Sequence, residues 1–207
     1  MKNKIRTFIK VLRGLNHVCL SFLLTTINKQ ISLPPSLATE IESKFEEIDL
    51  PRKGLLVKAG EIANKLALIE SGYLRMYSTD SNGKETTVWM GGRGKFITAI
   101  SSFVDRKPSY WNVEALTDSK LHTIKVDSHF QLCHDYREWL DFENLLLTRA
   151  LSALEYRTFE LISMKAEMRV KAFMERNADL FLNVPSKYIA SLLGISEETL
   201  SRLKKSS

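Results

Sequence analysis

The chain has 207 residues, 44% hydrophobic and 26% charged, with only 9 Gly and 5 Pro, which excludes collagen-like, low-complexity and disordered classes and leaves one large core or two small ones. Two cysteines, Cys19 and Cys133, are too few for a disulfide scaffold or a four-thiolate iron–sulfur cluster. The formal charge of +6 is unevenly placed: residues 1–29 hold six basic residues and no carboxylate, leaving 24 Lys and Arg against 24 Asp and Glu over 30–207. Net charge therefore marks a basic N-terminal arm and says nothing for a polyanion-binding body.

Within that arm Ile5, Phe8, Ile9, Val11 and Leu12 fall at helical spacing ahead of the apolar run Val18 to Leu24. The run is too short to span a membrane and no small-residue cleavage site follows, so the reading is an amphipathic extension resting on the body or on an anionic surface, without secretion, with an extension that has no function as the alternative. Leu33-Pro34-Pro35-Ser36 then turns into a short helix through Leu37, Ile41 and Phe45. Residues 55–126 read as β, with runs at 55–57, 66–69, 73–77, 86–89, 112–116 and 121–124 separated by turn residues. Ser81-Asn82-Gly83 is the strongest turn signal, Asn-Gly supplying two positive φ angles for a tight hairpin. Short antiparallel strands at this spacing predict a roll.

Beyond Asp127 helix formers take over. From Trp139 to Ile162, Leu140, Leu147, Leu151, Leu154 and Leu161 keep one face, and Phe142, Leu145, Leu146 and Phe159 widen it beyond what a small roll can cover, which predicts a dimer seam. The last stretch, residues 184–204, has the pattern of a helix-turn-helix. Ala190 is small where two helices cross, and Gly194 stands where a left-handed residue ends the first helix. Ser196 caps the second, while Ile189, Leu193, Ile195, Leu200 and Leu203 form the small core between them.

The order of parts, a short helix, a roll with Lys53-Gly54, Gly60-Glu61, Ile69-Glu70-Ser71-Gly72 and Asn82-Gly83-Lys84-Glu85, a long helix and a terminal helix-turn-helix, resembles the Crp/Fnr family of bacterial transcription regulators over about residues 30–205. The resemblance implies an α+β chain: a basic extension at 1–29, a cyclic-nucleotide-binding-like antiparallel β-roll, or double-stranded β-helix, at 30–135, a dimerisation helix at 136–163 and a helix-turn-helix domain at 164–207. The run Glu198-Thr199-Leu200-Ser201-Arg202 looks like the E-T-x-S-R of the Fnr branch, which would place Glu198, Ser201 and Arg202 at base edges of double-stranded DNA. Chemistry agrees: Arg donates bidentately to guanine, Glu accepts from cytosine, Ser serves either, and positions three and four apart share a helix face. Lys187, Lys204 and Lys205 are candidates for phosphate contacts, with a solvated surface as the alternative.

Two departures from the family pattern follow. Where cyclic-nucleotide binders carry Gly-Glu for the ribose and Arg-Ser for the phosphate, this chain has Gly94-Lys95-Phe96 and Ser109-Tyr110. A carboxylate acceptor has become a cation and the bidentate partner is gone, so cAMP is not the expected effector and the small-molecule ligand is unknown; Arg106 remains available to an anion. The family usually adds strands as a wing, and with about four residues between Leu180 and Pro185 and an end at Ser207, none is expected here. His129, Cys133 and His134 suggest metal ligands without a second anchored pair, and Gly91-Gly92-Arg93-Gly94-Lys95 fails the spacing of a phosphate loop. No catalytic set, cofactor site or metal site is assembled from these residues. The expectation is a cytoplasmic homodimeric DNA-binding regulator and not an enzyme; the rival is a ligand-binding or protein-interaction module whose terminal helices do not bind DNA.

Overall fold

The structure is a computed structural model that describes residues 21–205. Its first element, α1 (Phe22–Asn28), begins at Ser21, whose hydroxyl accepts a hydrogen bond from the Leu24 amide. Leu23, Leu24 and Ile27 are buried in one core with Leu37 and Ile41 of α2 (Pro35–Lys44). Residues 22–28, assigned from the sequence to a basic extension outside the roll, are thus part of the folded body, because three large aliphatic side chains on one helix face must leave water. The rest of the basic arm, residues 1–20, lies outside the described residues.

Helix α2 ends at Lys44, and Phe45, expected to continue it, opens a strand. Eight strands follow among the described residues: β1 (Phe45–Leu50), β2 (Leu55–Val57), β3 (Lys65–Ser71), β4 (Leu74–Thr79), β5 (Glu85–Gly91), β6 (Phe96–Ile97), β7 (Asn112–Ala115) and β8 (Ser119–Lys125). They form two antiparallel four-stranded sheets, sheet A in the order β1-β8-β3-β6 and sheet B in the order β2-β7-β4-β5. Leu68, Leu74, Val113, Ala115, Leu121 and Ile124 belong to the core shared by the two sheets. The β4–β5 turn differs from the expected pair of positive φ angles: only Gly83 is positive, at +80°. The Gly83 amide donates to the Asp80 carbonyl, and the Asp80 carboxylate accepts from the amides of Asn82 and Lys84, so an aspartate-braced three-residue loop replaces the tighter one.

A short helix, α3 (Ile100–Asp105), joins β6 to the loop before β7. After β8 come α4 (Val126–Asp135) and the long α5 (Arg137–Ser163). Only the start of α5 is buried: Trp139 and Phe142 enter the roll core, with Phe45 at 6.1 Å from Trp139 and Phe96 at 5.4 Å from Phe142 between ring centres. Four short helices complete the chain, α6 (Ala166–Arg176), α7 (Ala178–Asn183), α8 (Ser186–Leu193) and α9 (Glu197–Lys205), and no strand follows β8 among the described residues. Their core, built on Val170, Phe173, Leu180, Ile189 and Leu200, also takes in Met90 and Leu116 from the roll.

The elbow between α4 and α5 is fixed by polar side chains. The Trp139 indole N–H donates to His129 Nδ1 at 3.3 Å, which leaves the imidazole Nε2–H to donate to Glu143 at 3.0 Å; the Cys133 thiol donates to the other Glu143 oxygen at 3.2 Å. His134 points away to Asp135. His129, Cys133 and Glu143 are close enough to surround a cation, but a histidine ligand needs a lone pair on Nε2 and a proton on Nδ1, and the buried indole imposes the opposite tautomer. Burial, reinforced by Glu143, pushes the Cys133 thiol up to about 12. In a Cys19→Ser background, iodoacetamide should therefore leave Cys133 unmodified at pH 8 over a time in which it consumes the thiol of the urea-unfolded chain; equal rates in the two states would show that the elbow is open.

Candidate functional site

Helix α8 ends at Gly194, which adopts the left-handed conformation (φ 66°, ψ 37°) and lets the chain reverse into α9. Ser196 then caps α9, its hydroxyl accepting from the Thr199 amide at 3.1 Å. Ile189, Ala190, Leu193 and Leu200 are buried and Ile195 and Leu203 pack against them, so Leu200 turns inward and the opposite face turns out. On that outer face Glu198, Ser201 and Arg202 are exposed. Lys187 is also exposed, its ammonium 4.8 Å from the Tyr188 ring centre. Lys204 differs: it donates to Ser186 Oγ at 2.8 Å and sits over Phe181, stapling α9 to the neighbouring helices. The side chain of Lys205 lies outside the described residues.

Along α5 the apolar stripe faces solvent once the helix leaves the roll. Leu151 and Leu154 are each 59% exposed and Phe159 56%, with Leu147 and Leu161 beside them, whereas Leu140, nearer the roll, is half-buried. A run of large side chains in water along a single helix is an exposed apolar face of the kind that meets a partner.

The helix-turn-helix lies against the outer face of sheet B through residues that the sequence reading did not single out. Arg75 on β4 is 2% exposed; its guanidinium donates to Glu114 at 2.7 Å and Glu85 at 2.6 Å, and is packed by the rings of Tyr77 and Tyr188 at 3.8 and 4.1 Å. Arg75 and Glu114 are cross-strand partners in the β4–β7 register, and Tyr188 reaches them from α8. Burial, then the nearby Glu114 and Glu85 carboxylates, raises the Tyr77 phenol above its ordinary pKa. The signal was present: opposite charges on the outward positions of two strands that otherwise read as apolar.

The residues expected at a degenerate effector pocket are anchored on different sheets. Gly94 (φ +80°) and Lys95 are tied to β3 through the Gly94 amide to the Ile69 carbonyl and the Ile69 amide to the Lys95 carbonyl; Lys95 is exposed and Phe96 packs on Phe142. Ser109, by contrast, is buried, exchanges backbone hydrogen bonds with Gly60 and Glu61, and leads into sheet B, while Tyr110 is 68% exposed beside Trp111. Arg106 is engaged by Asp127 at 2.6 Å. A second group of ligand-type atoms, Glu47, Glu70 and His122, already holds a cation: Lys120 lies 2.8 Å from Glu47 and 3.8 Å from Glu70.

Comparison with known proteins agrees with this geometry. Residues 47–136 match the cyclic nucleotide-binding domain. Over 166 residues the chain is 25% identical to the cAMP-activated global transcriptional regulator CRP of Haemophilus influenzae, covering 75% of this chain and 74% of that protein. Among solved structures, FixK2 from Bradyrhizobium japonicum superposes with a TM-score of 0.69 at 18% identity, covering 78% of this chain and 83% of that one. A transcriptional regulator of the Crp/Fnr family from Eubacterium rectale gives a TM-score of 0.67 at 17% identity, over 84% and 83% of the two chains. No described helix is long and apolar enough to cross a membrane. Residues 47–136 thus form a cyclic nucleotide-binding domain, and the chain as a whole has the CRP-like fold with a C-terminal helical domain.

Proposed function

We propose that the protein is a homodimeric, DNA-binding transcriptional regulator working in the cytoplasm, in which α9 reads double-stranded DNA and the roll is a sensor for a small molecule other than cAMP. On this reading the sensor spans 30–135 together with α1, the dimerisation helix 136–163 and the DNA-binding domain 164–207. The observation that carries it is the orientation of α9: Leu200 is buried while Glu198, Ser201 and Arg202 are exposed on the side away from the small core. That is what base readout in a major groove needs, a helix held by its back with donors and acceptors on its front. Lys187 is the better phosphate candidate, since Lys204 is engaged with Ser186.

The sensor reading follows from charge. A cyclic nucleotide brings a phosphate and a ribose diol; Lys95 cannot accept from the diol, and Ser109 and Tyr110 offer no guanidinium to the phosphate. Calorimetric titration with cAMP should show no binding up to millimolar ligand, and a micromolar dissociation constant would overturn this part of the reading.

Dimerisation gives the α5 stripe a partner. Light scattering at micromolar protein should return twice the chain mass. Leu151→Asp should return one chain mass with the fold intact, because position 151 is exposed within the single chain and a charge there disturbs only the seam.

Selection of bound duplexes from a random pool tests readout. Arg202→Ala should weaken binding to the selected site by about 1–3 kcal/mol per half-site and leave random DNA nearly unaffected, whereas Lys187→Ala should weaken all sequences and reduce the salt slope by about one per contact. Equal losses on selected and random DNA for Arg202→Ala would remove the base-reading role, and failure to enrich any duplex would favour an interaction module that does not bind DNA.

A further inference from the structure

Among the described residues strand β5 is an edge of sheet B, and one side of its backbone has no strand to pair with. The β4–β5 register slips between Met76 and Tyr77, which face Trp89 and Thr87 and leave Val88 as an extra residue. The open edge and its bulge present bare backbone groups to the helical domain, and two side chains take them. Ser191, on α8, accepts from the Thr87 amide at 2.9 Å and lies 3.4 Å from the Glu85 carbonyl, to which it donates at the long end of the range. One hydroxyl thus serves an N–H and a C=O two residues apart, as a neighbouring strand would. Arg157, on α5, donates to the Val88 carbonyl at 2.5 Å and to the Leu192 carbonyl at 2.7 Å, so its fork joins the bulge to the last turn of α8.

We propose that Ser191 and Arg157 are positioning residues that fix α8, and through Gly194 the reading helix α9, on the bulged edge of β5. Neither needs to touch DNA. They act by completing the edge, and the dock is built to release, because the same interface buries Thr87 completely with its side-chain hydroxyl unpaired. An unpaired buried hydroxyl opposes docking and is hydrated when α8 leaves. Arg75 with Tyr188, and Met90 and Leu116 in the helical core, favour the docked side. The consequence for readout rests on the assignment of α9 to DNA, but the dock itself is measured without DNA, so failure of one is separable from failure of the other.

Amide exchange followed by NMR on the full-length protein is the test, because the Thr87 amide is held by the Ser191 hydroxyl and so reports the dock directly. After correction for intrinsic rates, Ser191→Ala should speed exchange at position 87 by about tenfold or more, while Ser191→Thr, which keeps the hydroxyl, should restore protection. Arg157→Lys, which keeps the charge but loses the fork, should speed it as well. Thr87→Val should slow it, since the unpaired hydroxyl is gone. Ser101→Ala, at an exposed position of α3 away from the dock, is the control and should leave the rate at position 87 unchanged. The proposal fails if Ser191→Ala and Ser101→Ala exchange alike at position 87, if Ser191→Thr does not rescue, if Arg157→Lys leaves the rate unchanged, or if Thr87→Val speeds exchange. A melting temperature alone would not distinguish these outcomes; the site-resolved rate does.

Discussion

The Arg75 guanidinium is the contact around which the two halves of the chain are organised. It stands on the outward side of β4, where a roll would otherwise meet water, and is nevertheless almost wholly buried because Tyr188 covers it. A charge in that position is tolerable only when its donors are used, and Glu114 and Glu85 use them. Sheet B is consequently covered twice, by the roll core on one face and by the helical domain on the other. Met90 and Leu116 extend the same arrangement, since they are roll residues in the core of the helix-turn-helix. The terminal domain is seated as part of a larger packed body.

Polar and apolar contacts divide the work at this boundary. Area buried by Met90 and Leu116 supplies attraction without direction. Direction comes from groups that have one geometry: the cross-strand Arg75–Glu114 pair and the Arg157 fork. Arg169 does the same at the next carbonyl, reaching those of Leu193 and Met164 and so closing the C-terminal end of α8 against the start of α6. Two arginines from different helices thereby satisfy the terminal carbonyls of α8, a task that capping by Gly194 alone leaves unfinished.

What could be read from the sequence follows the range of the forces involved. Gly194 and Ser196 were legible because a left-handed residue and a cap are demanded locally, and the strands at 66–69, 73–77 and 121–124 because apolar runs bounded by turns bury into one core. β1 was not, since Glu46, Glu47 and Asp49 give an edge strand an acidic text, and the six-residue α3 is too short to carry a period. Membership of α1 in the core was hidden by the basic arm beside it. That Glu198, Ser201 and Arg202 share an exposed face of α9 could be read from their i, i+3, i+4 spacing, whereas the lysines of α9 could not be told apart, because Lys204 is claimed by Ser186, 18 residues away. The attachment of α8 to β5 was invisible for a further reason: its handles on the strand are backbone atoms, and backbone atoms have no letters.

The exposed stripe on α5 makes the chain's own abundance a variable. Among the described residues Leu147, Leu151 and Leu154 stand largely in water on one face of α5, and a second copy of the chain would cover them in a bimolecular event. Below the dissociation constant for that event the assembled form grows with the square of total chain, and above it in direct proportion. On the dimer reading, a cell that halves its synthesis of the protein therefore loses up to three quarters of the assembled regulator. The same dilution returns a row of leucines to water, where proteases and chaperones recognise them, so turnover would rise as concentration falls and sharpen the response to supply.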